Sequence, residues 1–183
     1  MKYVICGGHW GLSIYTHEQL VTAGRHWLAS RSPVVLTELK SSARECPDVW
    51  GVLRGKSTVL IECKASRADF LADAQKSFRQ YPETGAGNFR YFLAPPGMLT
   101  VQELPDKWGL LEIRDTGRVR RVHAAVYQEC NREAELQMLT SVLRRLSPAP
   151  GNHMSIRVYA IQTQCTAGLT LWGTEEDELG RGL

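Results

Sequence analysis

An Asp, a Glu and a Lys between residues 46 and 70 (CPDVWGVLRGKSTVLIECKASRADF) sit where packing alone does not account for them, and together they could hold a hard cation. The stretch predicts two strands joined at Arg54-Gly55-Lys56, with Gly55 supplying the positive φ that a tight hairpin loop needs. Centred there, Val52 faces Thr58, Trp50 faces Leu60 and Asp48 faces Glu62. Directly opposed residues have Cβ atoms about 4.5–5.5 Å apart, so the two carboxylates repel unless something offsets them. Alternation puts Lys64 on the face of Glu62 and turns Val59, Ile61 and Cys63 to the other. Two acids and an ammonium thus converge, and an oxygen-seeking ion such as Mg²⁺ would relieve the repulsion. The competing account is a solvated hairpin face with a Glu/Lys pair, the usual state of surface charge. Against it, Val59-Leu60-Ile61 reads as a buried central strand, where a charge without a partner is costly.

The elements around this hairpin can be placed from pattern and punctuation. Thr16-His17-Glu18-Gln19 is a capping box, and a helix should follow to about Ala29 with Leu20, Val21, Gly24, Trp27 and Leu28 inward. Val34 to Lys40 is the first strand of the core, and Glu38 either enters the site or leaves the strand's open end. Ser66 and Asp69 cap a second helix running to about Arg79, with Phe70, Leu71, Ala74 and Phe78 as its buried stripe. Asn88 to Ala94 is a strand whose aromatics belong to the core. Trp108–Ile113 and Gly117–His123 form a hairpin around Asp115-Thr116-Gly117, with a basic edge of Arg118, Arg120 and Arg121. Asn131 to Leu146 is an amphipathic helix with Leu136, Leu139, Leu143 and Leu146 inward, and further strands are expected over 155–161 and 166–172. Gly51 to Ser57 imitates a phosphate-binding loop, but it is one residue short and leads into a strand rather than a helix.

Composition narrows the class. At 183 residues and 43% apolar, the chain is expected to be one α/β domain, with a core over about 16–122, a helix and strands over 123–172 and a frayed tail over 173–183. A net charge of +3 permits nucleic-acid binding without demanding it. Five scattered cysteines with no zinc spacing read as reduced thiols of a cytoplasmic protein. No apolar run reaches the length of a membrane span, and no signal-peptide pattern opens the chain. His9-Trp10, near the start, is most simply packing at the domain edge.

Pro47-Asp48, thirteen further residues, and Glu62-Cys63-Lys64 resemble the signature of the PD-(D/E)XK nuclease superfamily. The run Glu62-Cys-Lys-Ala-Ser66-Arg-Ala-Asp69-Phe70-Leu-Ala-Asp73 is similar to the E-x-K-x-S-x-x-D-F-x-x-D run of MmcB-like DNA repair proteins and their phage relatives. Asn88 to Phe92 and Leu104 to Leu110 share the later texture of those relatives, and the resemblance spans roughly residues 16–122. It implies a restriction-endonuclease-like mixed sheet flanked by helices and a Mg²⁺-dependent nuclease acting on DNA, with Mn²⁺ as an alternative ion. Asp48, Glu62 and the backbone carbonyl of Cys63 would hold the ion, with Glu18 or Glu38 as a third side-chain ligand. Lys64 would orient or deprotonate a water, or neutralise the transition state. Arg67, Lys76, Arg79 and Arg90 are the candidate contacts to the nucleic-acid backbone. The alternative function keeps the fold without the reaction, as a DNA-binding repair accessory.

Overall fold

The computed structural model describes residues 3–6, 9–12, 15–41, 43 and 45–145; Leu146, the strands expected over 155–161 and 166–172, and the tail lie outside them. The chain forms α1 (His17–Ala29), β3 (Val34–Thr37), β4 (Val49–Val52), β5 (Thr58–Cys63), α2 (Arg67–Asp73), α3 (Ser77–Gln80), β6 (Phe89–Ala94), β7 (Gly109–Ile113), β8 (Val119–His123) and α4 (Arg132–Arg145). Ahead of them, β1 (Tyr3–Cys6) and β2 (His9–Leu12) make a separate antiparallel hairpin. The main sheet has six strands in the order β3-β4-β5-β6-β7-β8. β3, β4 and β5 are antiparallel neighbours, β5, β6 and β7 run parallel, and β8 returns antiparallel. This is an α/β fold with a mixed sheet flanked by helices.

Alternation along the strands divides the core in two. Val49, Val59, Ile61, Cys63, Tyr91 and Leu93 face α1, whose Leu20, Val21, Ala23, Trp27 and Leu28 are buried against them. Trp50, Leu60, Phe92 and Leu110 face the opposite way, toward Phe70 of α2 and Met138 of α4. Phe89, Tyr91 and Phe92 are thus core, as their strand context predicts. The capping box at α1 forms as read: Gln19 N–H donates to Thr16 Oγ1 at 3.2 Å and Thr16 N–H to Gln19 Oε1 at 2.8 Å.

The β4–β5 register is the predicted one, with Trp50 opposite Leu60 and Val52 opposite Thr58. The turn works differently, because Lys56 rather than Gly55 takes the positive φ, at 69°. Lys56 N–H bonds to Leu53 C=O at 3.0 Å and Leu53 N–H to Ser57 C=O at 2.8 Å, a three-residue loop that ends in a left-handed residue. Behind the hairpin, Ser32 Oγ lies 2.6 and 2.7 Å from Val34 O and Val52 O, so its single hydroxyl proton can go to either carbonyl, and Gly51 leaves room for it. A Cβ at Gly51 would stand 2.7 Å from Val34 O and 2.8 Å from Ser32 Oγ. Gly51→Ala should therefore lower stability by about 1–3 kcal/mol, read as a fall in the urea midpoint; an unchanged midpoint would mean that the strand edge gives way freely.

Two helices depart from expectation. The helix after Ser66 stops at Asp73 and resumes only as the short α3, and Leu71 and Ala74 are exposed while Phe70 and Asp73 turn inward. On α4 the inner face is Glu135, Met138, Leu139 and Val142, leaving Leu136 and Leu143 in solvent. Glu135 accounts for that rotation: its Oε1 accepts from Thr58 Oγ1 at 2.6 Å and Gly87 N–H at 2.9 Å, which fixes α4 to the sheet by a buried carboxylate. Among the described residues, no helix is long and apolar enough to cross a membrane.

Candidate active site

Asp48 immediately precedes β4, and its carbonyl accepts the N–H of Glu38 at 3.1 Å, which ties the end of β3 to the start of β4. Its side chain reaches across to β5, where Oδ2 accepts the N–H of Cys63 at 2.7 Å. Glu62 and Lys64 leave β5 on the face turned toward α2, as the alternation requires, and both are buried. Lys64 N–H extends the β5–β6 ladder to Leu93 O at 2.9 Å, so the base of the lysine is fixed by the sheet. Its Nζ lies 3.3 Å from Glu62 Oε2 and 3.0 Å from Asp73 Oδ1.

Asp73 gathers the cations. Besides Lys64, its oxygens meet Lys76 Nζ at 2.6 Å and Arg79 Nε at 2.6 Å. Arg79 continues to Glu45 Oε1 at 2.8 Å and Glu62 Oε1 at 3.3 Å. The break between α2 and α3 makes this possible, since it lets Asp73, Lys76 and Arg79 all address the end of β5. Among the described residues the cluster holds four acids, Glu45, Asp48, Glu62 and Asp73, against three bases, Lys64, Lys76 and Arg79. Among the described residues Asp48 is the acid left over: its nearest basic group is the His17 imidazole, with Nε2 3.4 Å from Oδ1.

The electrostatics follow from that imbalance. Burial, and then the charge of Glu62, push the Asp48 carboxyl up to about 6. Burial would also raise Asp73, but Arg79, Lys76 and Lys64 outweigh it and hold its pKa at about 2. Burial pulls the Lys64 ammonium down, yet Glu62 and Asp73 prevail and keep its pKa above the ordinary lysine value. Cys63, buried beside both acids, has its thiol pushed well up and is no nucleophile.

The predicted site residues divide. Asp48, Glu62 and Lys64 come together. Glu18 is exposed, about 100° round α1 from His17, and it is His17 that faces Asp48. Glu38 adopts a left-handed φ of 46° and lies 3.9 Å from His17 Nε2, at the rim. Arg67 is half-exposed and paired with Glu103, and Lys76 is half-exposed at the mouth. Arg79 and Arg90 are not surface residues. Arg79 is enclosed by three acids, and Arg90 spends its guanidinium on the carbonyls of Pro82, Gly85, Gly87 and Glu129. Charge patterning alone puts both at the surface, where most arginines lie; burial is the rarer case, and here it leaves Arg79 Nη2 and Arg90 Nη1 without a hydrogen-bond partner among the described residues. Asp73 and His17 carried faint signals: an acid three residues after buried Phe70, and an imidazole inside a capping box.

Among the described residues, no group of three or more His, Cys, Asp or Glu side chains is arranged to hold a metal by itself. The donors that the resemblance implies, Asp48, Glu62 and the Cys63 carbonyl, would suit an ion that completes its shell with water, as Mg²⁺ does. The raised Asp48 carboxyl, an acid short of a cation, fits such an ion.

No family model matches the chain, and no curated protein matches it. It is similar to a solved structure described as the "SPO1766 protein of unknown function from Silicibacter pomeroyi", with a TM-score of 0.56 and 25% identity, over 74% of this chain and 91% of that one. That likeness bears on the fold.

Proposed function

We propose that this protein is a divalent-metal-dependent nuclease of the PD-(D/E)XK type that hydrolyses DNA phosphodiester bonds. The observation that carries the reading is Asp48, a partly buried acid beside Glu62 whose oxygens meet no Lys or Arg among the described residues, next to an ammonium held in place by Asp73. The topology is in keeping with it: an antiparallel β3-β4-β5 meander, a helical crossover and a parallel β6, with the acids at one end of the meander.

Asp48, Glu62 and the Cys63 carbonyl would hold Mg²⁺, which when bound supplies a water of lowered pKa and charge for the phosphate oxygens. Lys64, kept protonated by Glu62 and Asp73, serves as a fixed cation for charge developing in the transition state rather than as the base. His17, against Asp48 Oδ1, is the imidazole placed to take or relay a proton at the mouth. Arg67 and Lys76 are the half-exposed cations available to backbone phosphates. Mg²⁺ or Mn²⁺ should support cleavage of duplex, single-stranded or branched DNA, and both Glu62→Ala and Lys64→Ala should abolish it; cleavage that survives both changes sinks the assignment.

One observation favours the second reading, a DNA-binding accessory without catalysis. Both oxygens of Glu62 already face cations: Lys64, Lys76 and Arg79. A protein of that kind would bind DNA with a steep salt dependence and retain binding in Lys64→Ala, with no cleavage under either metal.

A further inference from the structure

Lys64 and Lys76 share the same two oxygens. Lys64 Nζ is 3.3 Å from Glu62 Oε2 and 3.0 Å from Asp73 Oδ1, and Lys76 Nζ is 3.6 Å and 2.6 Å from those same atoms. Two ammoniums on one oxygen pair repel each other, and they differ in how firmly they are held. The Lys64 side chain is 4% exposed and rooted in the β5–β6 ladder, whereas Lys76 is 44% exposed and rises from the turn between α2 and α3. Arg79, the third cation on Glu62, is as buried as Lys64. Lys76 is thus the member of the cluster that can leave without unpacking anything.

We propose that Lys76 is a displaceable counter-ion: it neutralises Glu62 while the site lacks a metal, and it swings into solvent when a divalent ion takes up that carboxylate. The charge balance supports the exchange. An incoming divalent ion adds two positive charges to a cluster one short, and departure of one ammonium from Glu62 offsets the excess. The 3.6 Å separation from Glu62, longer than the lysine's contact with Asp73, makes that the first contact to yield; Asp73, still held by Lys64 and Arg79, can then release the ammonium without being left unpaired. This inference rests on the reading that Asp48 and Glu62 hold the metal.

Mn²⁺ binding by the full chain, followed by calorimetry and by loss of the free-ion paramagnetic resonance signal, tests it without reference to activity. Lys76→Ala should bind Mn²⁺ more tightly, on the order of tenfold, because a competing charge at contact distance is gone. Lys76→Arg should stay near the wild type. Arg67→Ala, which removes a half-exposed cation paired with Glu103 instead, should change little. Unchanged or weaker binding in Lys76→Ala, with wild-type binding still lost in Asp48→Asn, overturns the exchange and leaves the metal site standing. An equal gain in Arg67→Ala also overturns it, since general charge would then suffice. If the wild type shows no binding that Asp48→Asn removes, the metal reading fails and the exchange falls with it.

Discussion

Asp73→Ala is expected to lower the unfolding free energy by about 3 kcal/mol, near the low end of what deleting one partner of a buried ion pair costs. Asp73 is buried with Lys64, Lys76 and Arg79 on its two oxygens, and its removal leaves two enclosed cations short of their nearest acid. The loss stays at the low end because Lys64 and Arg79 keep Glu62, and Arg79 keeps Glu45. Urea denaturation at neutral pH reads it directly, and a loss below about 1 kcal/mol would put these charges in the class of solvated surface pairs. The pH dependence adds a second mark. With a folded pKa of about 2 against an ordinary value of 3.8, Asp73 contributes stability that is complete above the unfolded value and is lost as pH falls from about 4 through 2. Asp73→Asn should flatten the stability profile in that window.

Asp48→Asn should do the opposite to stability while, under the proposed function, removing cleavage. The folded protein raises the Asp48 carboxyl from 3.8 to about 6, so ionisation opposes folding; the penalty is absent below the unfolded value and complete above about pH 6. Asn is neutral throughout, and its Oδ1 can still accept the Cys63 N–H that Asp48 Oδ2 now accepts at 2.7 Å. At pH 8 the variant should be more stable than the wild type by roughly 2–3 kcal/mol, converting the shift at about 1.4 kcal/mol per unit, and the gain should vanish near pH 4. Metal reverses the comparison. Millimolar Mg²⁺ should raise the melting temperature of the wild type and leave Asp48→Asn unmoved, because an ion that binds only the native state stabilises it. Cleavage should fall by about three orders of magnitude in the variant, within the range lost with an electrostatic catalytic group. Asp48→Asn that is less stable at pH 8 would mean that this acid is satisfied by the fold and not waiting for a cation.

The hairpin was legible because its information is local. Alternation from Val59 to Lys64 decides which side chains share a face, and the Val52–Thr58 and Trp50–Leu60 register follows from loop length. The α1 cap, the aromatic β6 and the Gly117 turn, with φ 77°, follow from rules of the same short range. The residue carrying the turn's left-handed conformation was assigned to Gly55 on propensity, and the three-residue loop gave it to Lys56. Helical periodicity failed where a buried charge overrode it. Asp73 faces inward in place of Leu71 and Ala74, and Glu135 does so in place of Leu136, because each finds donors there that an apolar side chain would leave unpaired.

By itself, then, the sequence determined an α/β chain with Glu62 and Lys64 on one strand face and Asp48 across the hairpin from them. Only the tertiary structure decided what surrounds those groups: Asp73 and Arg79 inside, His17 instead of Glu18 at the mouth, and Arg90 bonded to backbone carbonyls. The reason is range. Strand alternation acts between neighbours in the chain, whereas the partner of a buried charge is chosen by whichever distant groups share its dry enclosure, and no spacing along the chain records that choice.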